Sequence, residues 1–336
     1  MKIDYEKYPV AAIPINDVWE IYRPYLKLIE EDIRRNLDSI SPLTKEIAFY
    51  IFDSGGKRIR PLLTIISSKL CGYSGEDDIT LATIVEYIHT ATLLHDDVID
   101  NSEIRRGRDA ARTLWGNQAS ILVGDFLYTK AMCKVVDIQN QDINRLISDT
   151  CRKLSEGEII QLSYSGDTDL TEEEYLRIIE YKTGALISMT CALGGIIADL
   201  SSREKDALTE FGLNLGIAFQ VADDTLDYVA NKDKLGKSLG SDLQNGKITL
   251  PILHLLKYCV DNERQNIKDI IKNSYDSKEN LFYILELMNR YGSIEYSLDL
   301  ARSFSERAKE NIAIFDNSLH KSSILALADY MVSRDH

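Results

Sequence analysis

Apolar residues recur at helical spacing through Leu81, Val85, Ile88, Ala91 and Leu94, and the run ends on the stretch LHDDVID at 94–100. Steps of three and four residues put these side chains on one face of an α-helix. Leu213, Ile217, Val221 and Leu226 repeat the pattern later, again running into aspartates. Strand-like alternation is hard to find, and only 6 prolines interrupt 336 residues. Long unbroken helices follow. Turn chemistry is confined to compact stretches such as GYSGEDD at 72–78, SYSGDTD at 163–169 and NKDKLGKSLGSDLQNGK at 231–247. No segment has linker composition, so the expectation is one all-α domain spanning 1–336. The polar stretch 261–290 reads as a peripheral helical pair.

A formal charge of −14 argues against nucleic acid or an anionic membrane surface as a general partner. It also makes any basic cluster conspicuous. Cys71, Cys133, Cys151, Cys191 and Cys259 are odd in number and lack CxxC spacing, the pattern of reduced thiols. The opening MKIDYEKYPVAAIPIND has no basic stretch followed by an apolar core. The longest nearly uncharged run, Thr183 to Ala198, is too short to span a membrane. A cytoplasmic protein is expected.

Aspartate clusters of the form DDxxD occur twice, as Asp96-Asp97-x-x-Asp100 and Asp223-Asp224-x-x-Asp227. On a helix the outer pair of each cluster stands one above the other, with the middle aspartate on the flank. One such cluster in an acidic chain is as readily a solvated helix end. Two identical ones, each closing an apolar helix, would repel if opposed unless a cation lay between them. Carboxylate oxygens suit hard ions, and magnesium takes one or two carboxylates and completes its shell with phosphate oxygens and water. Neither cluster has the spacing of an EF-hand loop.

Basic residues lie close by. Gly55-Gly56-Lys57-Arg58-Ile59-Arg60-Pro61 pairs glycines with three cations and a proline suited to the first turn of a helix. Backbone amides there, with Lys57 and Arg60, would make an anion site. Asn101-Ser102-Glu103-Ile104-Arg105-Arg106-Gly107-Arg108 follows the first cluster directly, and arginine suits multidentate phosphate contacts. Lys182, Lys237 and Lys247 are further cations. A nucleotide phosphate loop of the form GxxxxGK[ST] is absent here.

GGKRIRP, IHTATLLHDDVIDNSEIRRG, VGDFLYTKA, EGEIIQL, YKTG, FQVADDTLDY and LGKSLGSDLQNGKITLP stand in that order along the chain. Together they resemble the trans (all-E) polyprenyl diphosphate synthases. IHTATLLHDD is most similar to the long-chain members, such as octaprenyl diphosphate synthase. The resemblance implies an isoprenoid-synthase-type bundle of antiparallel helices around a central cavity, a homodimer, and a prenyltransferase that condenses isopentenyl diphosphate head-to-tail onto an allylic diphosphate. It implies magnesium, three ions per active site, held by Asp96, Asp97, Asp100, Asp223, Asp224 and Asp227. Lys57, Arg60, His89 and Arg106 would bind isopentenyl diphosphate. Arg105, Lys182, Thr183, Gln220, Lys237 and Lys247 would contact the allylic diphosphate, with Lys182 also counted as catalytic. The chain departs from the pattern after RRG, where a proline–threonine or similar small pair is common. Here the run is Arg108-Asp109-Ala110-Ala111-Arg112.

Chain length is expected to depend on the helix before Asp96. Ala91 and Thr92 are small and leave room for a long tail, and Ile88 and Val85 lie deeper. The expected product lies between hexaprenyl and decaprenyl, with octaprenyl the single best length, and release of so apolar a product implies contact with a membrane. The alternatives are a shorter-chain farnesyl or geranylgeranyl diphosphate synthase, a terpene cyclase and a non-catalytic subunit of a heteromeric synthase. GGKRIRP and His89 argue against a cyclase, which has no second substrate to hold. Both complete aspartate clusters argue against a subunit.

Overall fold

A computed structural model describes residues 13–229, 240–273 and 277–333. Fifteen α-helices account for most of them: α1 (Ile15–Asn36), α2 (Pro42–Asp53), α3 (Ile59–Leu70), α4 (Asp77–Ile99), α5 (Ala111–Asp137), α6 (Gln141–Ser163), α7 (Glu172–Ile179), α8 (Ala185–Ile197), α9 (Ser202–Leu226), α10 (Ser241–Gln244), α11 (Leu250–Tyr258), α12 (Asp261–Asn273), α13 (Lys278–Arg290), α14 (Ser293–Asn311) and α15 (Leu319–Val332). The all-α expectation holds, and 261–290 is the helical pair α12–α13. Among the described residues the one departure is a small hairpin, β1 (Ile104–Arg105) with β2 (Arg108–Asp109), in the stretch that lacks the usual small pair.

Helix boundaries follow local chemistry. The Ser41 hydroxyl accepts the Thr44 amide at 3.3 Å and Pro42 opens α2, where its missing N–H costs nothing. Thr171 and Glu174 form a reciprocal capping box at α7. Between α7 and α8 the residues Glu180–Gly184, EYKTG, form one π-helical turn. Such turns carry an extra residue and tend to mark functional positions. Gly116 breaks the ladder of α5 with φ +83° and kinks it.

The described residues form two compact units. The first draws on Met1–Ser148, Met189–Thr209 and Ala313–Leu327, the second on Asp149–Ser188, Glu210–Ile312 and Ala328–His336. In the first, α4 is central and packs on α5, α3 and α1. Every residue from Leu81 to Ile88 is buried, so α4 has no solvent face over two turns. The single apolar face expected for it is therefore only part of its buried surface. Glu86, on that stretch, is buried because Arg58 reaches it at 2.5 Å. In the second unit Ile217, Val221, Leu250, Leu255, Ile267, Ile284 and Leu287 share one core. Cys71, Cys133, Cys151, Cys191 and Cys259 are all free thiols, and burial pushes those of Cys71 and Cys191 up to about 12.

Candidate active site

Both aspartate clusters lie at the C-terminal ends of their helices, α4 and α9. The helix dipole is negative there, so each carboxylate meets repulsion from the backbone as well as from its neighbours. The middle aspartates behave differently from the outer ones. Asp97 is 4% exposed, and its Oδ1 accepts from Arg105 Nε at 2.8 Å and Nη2 at 2.5 Å. Burial still holds its pKa above the ordinary aspartate value, against the pull of Arg105. Asp96 and Asp100, one turn apart, are half-buried. A step of 100° around the helix separates Asp96 from Asp97, enough to turn one toward the unit's interior.

Arg105 is presented by the hairpin. Ile104 pairs with Asp109 and Arg105 with Arg108, leaving Arg106-Gly107 as a two-residue loop. Both loop residues have positive φ, +53° and +75°, the type I′ geometry that matches strand twist. Arg106 Nη1 donates to the Gly55 carbonyl, and the guanidinium lies flat on Gly56. A methyl group at Gly56 would sit 2.8 Å from that nitrogen, and the backbone there has φ +138°. The GGKR loop is thus shaped to receive Arg106. Arg58, also left-handed at φ +48°, caps α3 and turns its side chain inward to Glu86 and the Phe52 carbonyl. Of the three cations in the loop, Arg58 is structural, Lys57 is exposed and Arg60 is half-buried.

Arg60 Nη1 lies 3.1 Å from His89 Nε2. Burial first, and then the charges of Arg60, Arg106, Arg105 and Arg58, hold His89 well below the ordinary histidine range. The imidazole is therefore neutral, accepts from Arg60 at Nε2 and carries its proton on Nδ1. Tyr50, Leu93, Asp97, Arg105 and Arg106 line a cleft in this unit. Ala91 and Ile88 are packed shut at 2% and 1% exposure. Thr92, one turn before Asp96 on the same face, is half-buried and turns its hydroxyl onto the His89 carbonyl at 2.9 Å.

In the second unit a chain of hydrogen bonds runs through the expected residues. Thr183 Oγ1 donates to Gln220 Oε1 at 2.7 Å, and Gln220 Nε2 donates to Asp224 Oδ1 at 2.7 Å. Tyr175, fully buried on α7, donates to Asp224 Oδ2 at 2.7 Å. Burial and the nearby charge of Asp242 push the Asp224 carboxyl up to about 8. Thr183 reaches Gln220 because α9 passes very close to the π turn: a methyl group on Gly216, one turn before Gln220, would lie 2.7 Å from Gly184 Cα. Lys182 on the same turn pairs with Glu158 at 2.6 Å and donates to Gln161, both in EGEIIQL. Asp223 is exposed. Asp227 accepts from Ser241 Oγ at 2.8 Å and from the Asp242 amide at 3.0 Å, which anchors the start of α10. Lys247 follows α10, with its amide on the Asp242 carbonyl. Lys237 lies outside the described residues.

The sequence reading missed Tyr175, Glu158, Gln161 and Glu86. Glu158 and Gln161 stand in the quoted motif EGEIIQL, and Tyr175 lies seven residues before Lys182. Among the described residues, no three His, Cys, Asp or Glu side chains converge tightly enough to hold a metal ion unaided. The donor set still fits magnesium, which draws most of its shell from phosphate and water. No described helix is long and apolar enough to cross a membrane.

Known proteins agree with this arrangement along almost the whole chain. The octaprenyl diphosphate synthase of Haemophilus influenzae is 37% identical over 322 residues, covering 96% of this chain and 98% of the relative. A decaprenyl diphosphate synthase structure from Rhodobacter capsulatus superposes with a TM-score of 0.92 at 34% identity, covering 96% of this chain and 100% of that one. A polyprenyl synthase from Caulobacter crescentus, complexed with calcium and isoprenyl diphosphate, gives 0.91 at 34% identity over 98% and 100%. Residues 41–288 match the family model described as polyprenyl synthetase, and this chain belongs to that family of prenyltransferases.

Proposed function

We propose that the chain extends an allylic diphosphate, with farnesyl diphosphate as primer, by successive condensation with isopentenyl diphosphate to a long all-trans product. Octaprenyl is the single best length within a hexaprenyl-to-decaprenyl range. The observation that carries this is the cationic surround of His89. Arg58, Arg60, Arg105 and Arg106 all act on one neutral imidazole, next to an aspartate cluster. An enzyme that ionises a single diphosphate has no use for a second anion site of this kind.

The chemistry separates an allylic carbocation from diphosphate, so the protein must stabilise negative charge developing on the leaving group. Arg105 is held for that task by Asp97, and Lys182 by Glu158 and Gln161. Thr183 and Gln220 are fixed by Asp224 and Tyr175 for hydrogen bonding to the same diphosphate. Lys57, Arg60 and Arg106 would grip isopentenyl diphosphate, and neutral His89 would add a hydrogen bond without taking a proton. When bound, magnesium supplies further charge neutralisation of the diphosphate oxygens. Its ligands would be the outer aspartates Asp96, Asp100, Asp223 and Asp227. Asp97 and Asp224 would position Arg105 and Gln220. The departed diphosphate is basic enough to accept the proton lost after each addition.

Incubating purified protein with magnesium, labelled isopentenyl diphosphate and farnesyl diphosphate should yield lengthened prenyl diphosphates, and excess chelator should abolish them. Cyclic hydrocarbon would indicate a cyclase, and no turnover a non-catalytic subunit. Products stopping at farnesyl or geranylgeranyl length would favour the short-chain alternative.

For chain length, Thr92 is the position on the accessible face of α4, so Thr92→Phe should shorten the product; wild-type lengths from that variant would overturn the assignment. Ala91→Phe tests the neighbouring position, where overpacking a closed site costs about 1–3 kcal/mol. The exposed apolar stripe Leu114, Ile121, Leu122, Tyr128 and Val136 on α5 supports a homodimer. A cytoplasmic enzyme that meets the membrane at product release completes the proposal.

A further inference from the structure

We propose that Arg112 is a positioning residue that fixes the hairpin carrying Arg105 and Arg106, an inference that rests on the function proposed above. Its guanidinium spans three acceptors on two segments. Nη2 donates to Asn101 Oδ1 at 3.1 Å, Nη1 to the Ser102 carbonyl at 3.3 Å and Nε to Asn117 Oδ1 at 3.1 Å. Asn101 and Ser102 lie on the short link from Asp100 into the hairpin, and Asn101 holds an uncommon left-handed backbone at φ +52°. Asn117 lies on α5, so the fork ties the exit of one helix to the entry of the next. Lysine, with one compact ammonium, does not reproduce a planar fork.

The rest of the hairpin is braced around this point. The Ser102 amide donates to the Asp97 carbonyl at 2.9 Å, and the Ala110 amide donates to the Glu103 carbonyl at 2.8 Å. Tyr50 holds the far strand through the Asp109 carbonyl at 2.8 Å, and its ring packs edge-on against Trp115 at 5.0 Å. Arg112 touches neither aspartate cluster, and its three acceptors are neutral oxygens. Its positive charge nevertheless acts on Asp97, the residue that holds Arg105. The arginine also lies in the stretch that departs from the family pattern. The small pair usual there is replaced by Asp109-Ala110, and the support for the loop comes from Arg112 and Tyr50.

The test compares wild type, Arg112→Ala and Arg112→Lys by amide hydrogen exchange and by steady-state kinetics with each substrate varied. In Arg112→Ala, exchange at Ser102 and Ala110 should speed up by about tenfold or more while exchange in the core of α4 stays slow. The KM for isopentenyl diphosphate should rise about tenfold with kcat changed less than about threefold, because Arg106 at the hairpin tip loses its fixed place. Arg112→Lys should behave like the alanine variant. Unchanged exchange at Ser102 and Ala110, or full rescue by lysine, would overturn the proposal. A fall in kcat with faster exchange throughout α4 would make Arg112 a general stabiliser and would overturn it as well. If the wild type does not elongate at all, the function proposed above fails, and the exchange measurement still decides whether Arg112 fixes the hairpin.

Discussion

Replacing Asp96 and Asp100 together by asparagine should cut condensation by about 10³-fold or more, since charge stabilisation of a leaving group is among the largest catalytic terms. The same change should leave the thermal midpoint unchanged or raise it. Each carboxylate sits in or just beyond the last turn of α4, where a negative charge opposes the helix dipole by about 0.3–1 kcal/mol. The two also stand at i, i+4, where like charges repel. Asparagine keeps the size and the acceptor oxygen and removes both penalties. Activity within tenfold of wild type at saturating magnesium would refute the role given to these residues. A large loss of stability would show instead that they hold the fold.

Arg58→Met should destabilise the first unit by about 3–5 kcal/mol, because it leaves the Glu86 carboxylate buried without its cation. Both side chains are almost wholly withdrawn from solvent, and Arg58 also serves the Phe52 carbonyl. The double variant Arg58→Met/Glu86→Leu should recover most of that loss, since a buried ion pair often gains little over well-packed apolar residues. Urea unfolding followed through the first unit gives the comparison. A double variant no more stable than the single would mean that the loop conformation, not the ion pair, carries the energy. The result matters for function because Glu86 lies one turn before His89, so the same pair anchors the GGKR loop next to the imidazole.

The helices themselves were legible from the spacing of apolar residues, and the aspartate clusters and their basic neighbours from residue type alone. The division of labour inside each cluster was not. Asp96 and Asp97 are identical in composition and adjacent in sequence, and only the direction of the surrounding core separates them. Periodicity cannot give that direction for α4, because over residues 81–88 it is buried on every side and has no polar face to mark the phase. Glu86 was passed over for the same reason: a lone acid in an apolar helix gives no sign of the cation that makes its burial tolerable. Arg58 was given no role of its own, since sequence does not reveal a left-handed cap that turns a side chain inward. The hairpin escaped notice because two strands of two residues are too short to show alternation, although Arg106-Gly107 is a loop pair able to take positive φ.

The π-helical turn at Glu180–Gly184 has a consequence for evolution as well as for geometry. Along a regular α-helix, Tyr175 and Thr183 would stand roughly 80° apart around the axis. The wider turn absorbs about one residue of that rotation, so the two hydroxyls can address successive links of the same chain, Asp224 and Gln220. The inserted residue acts as a phase corrector between two helices that must both serve α9. Deleting one residue there would restore an ordinary helix and throw Tyr175 and Thr183 out of step, although every side chain of the network would still be present.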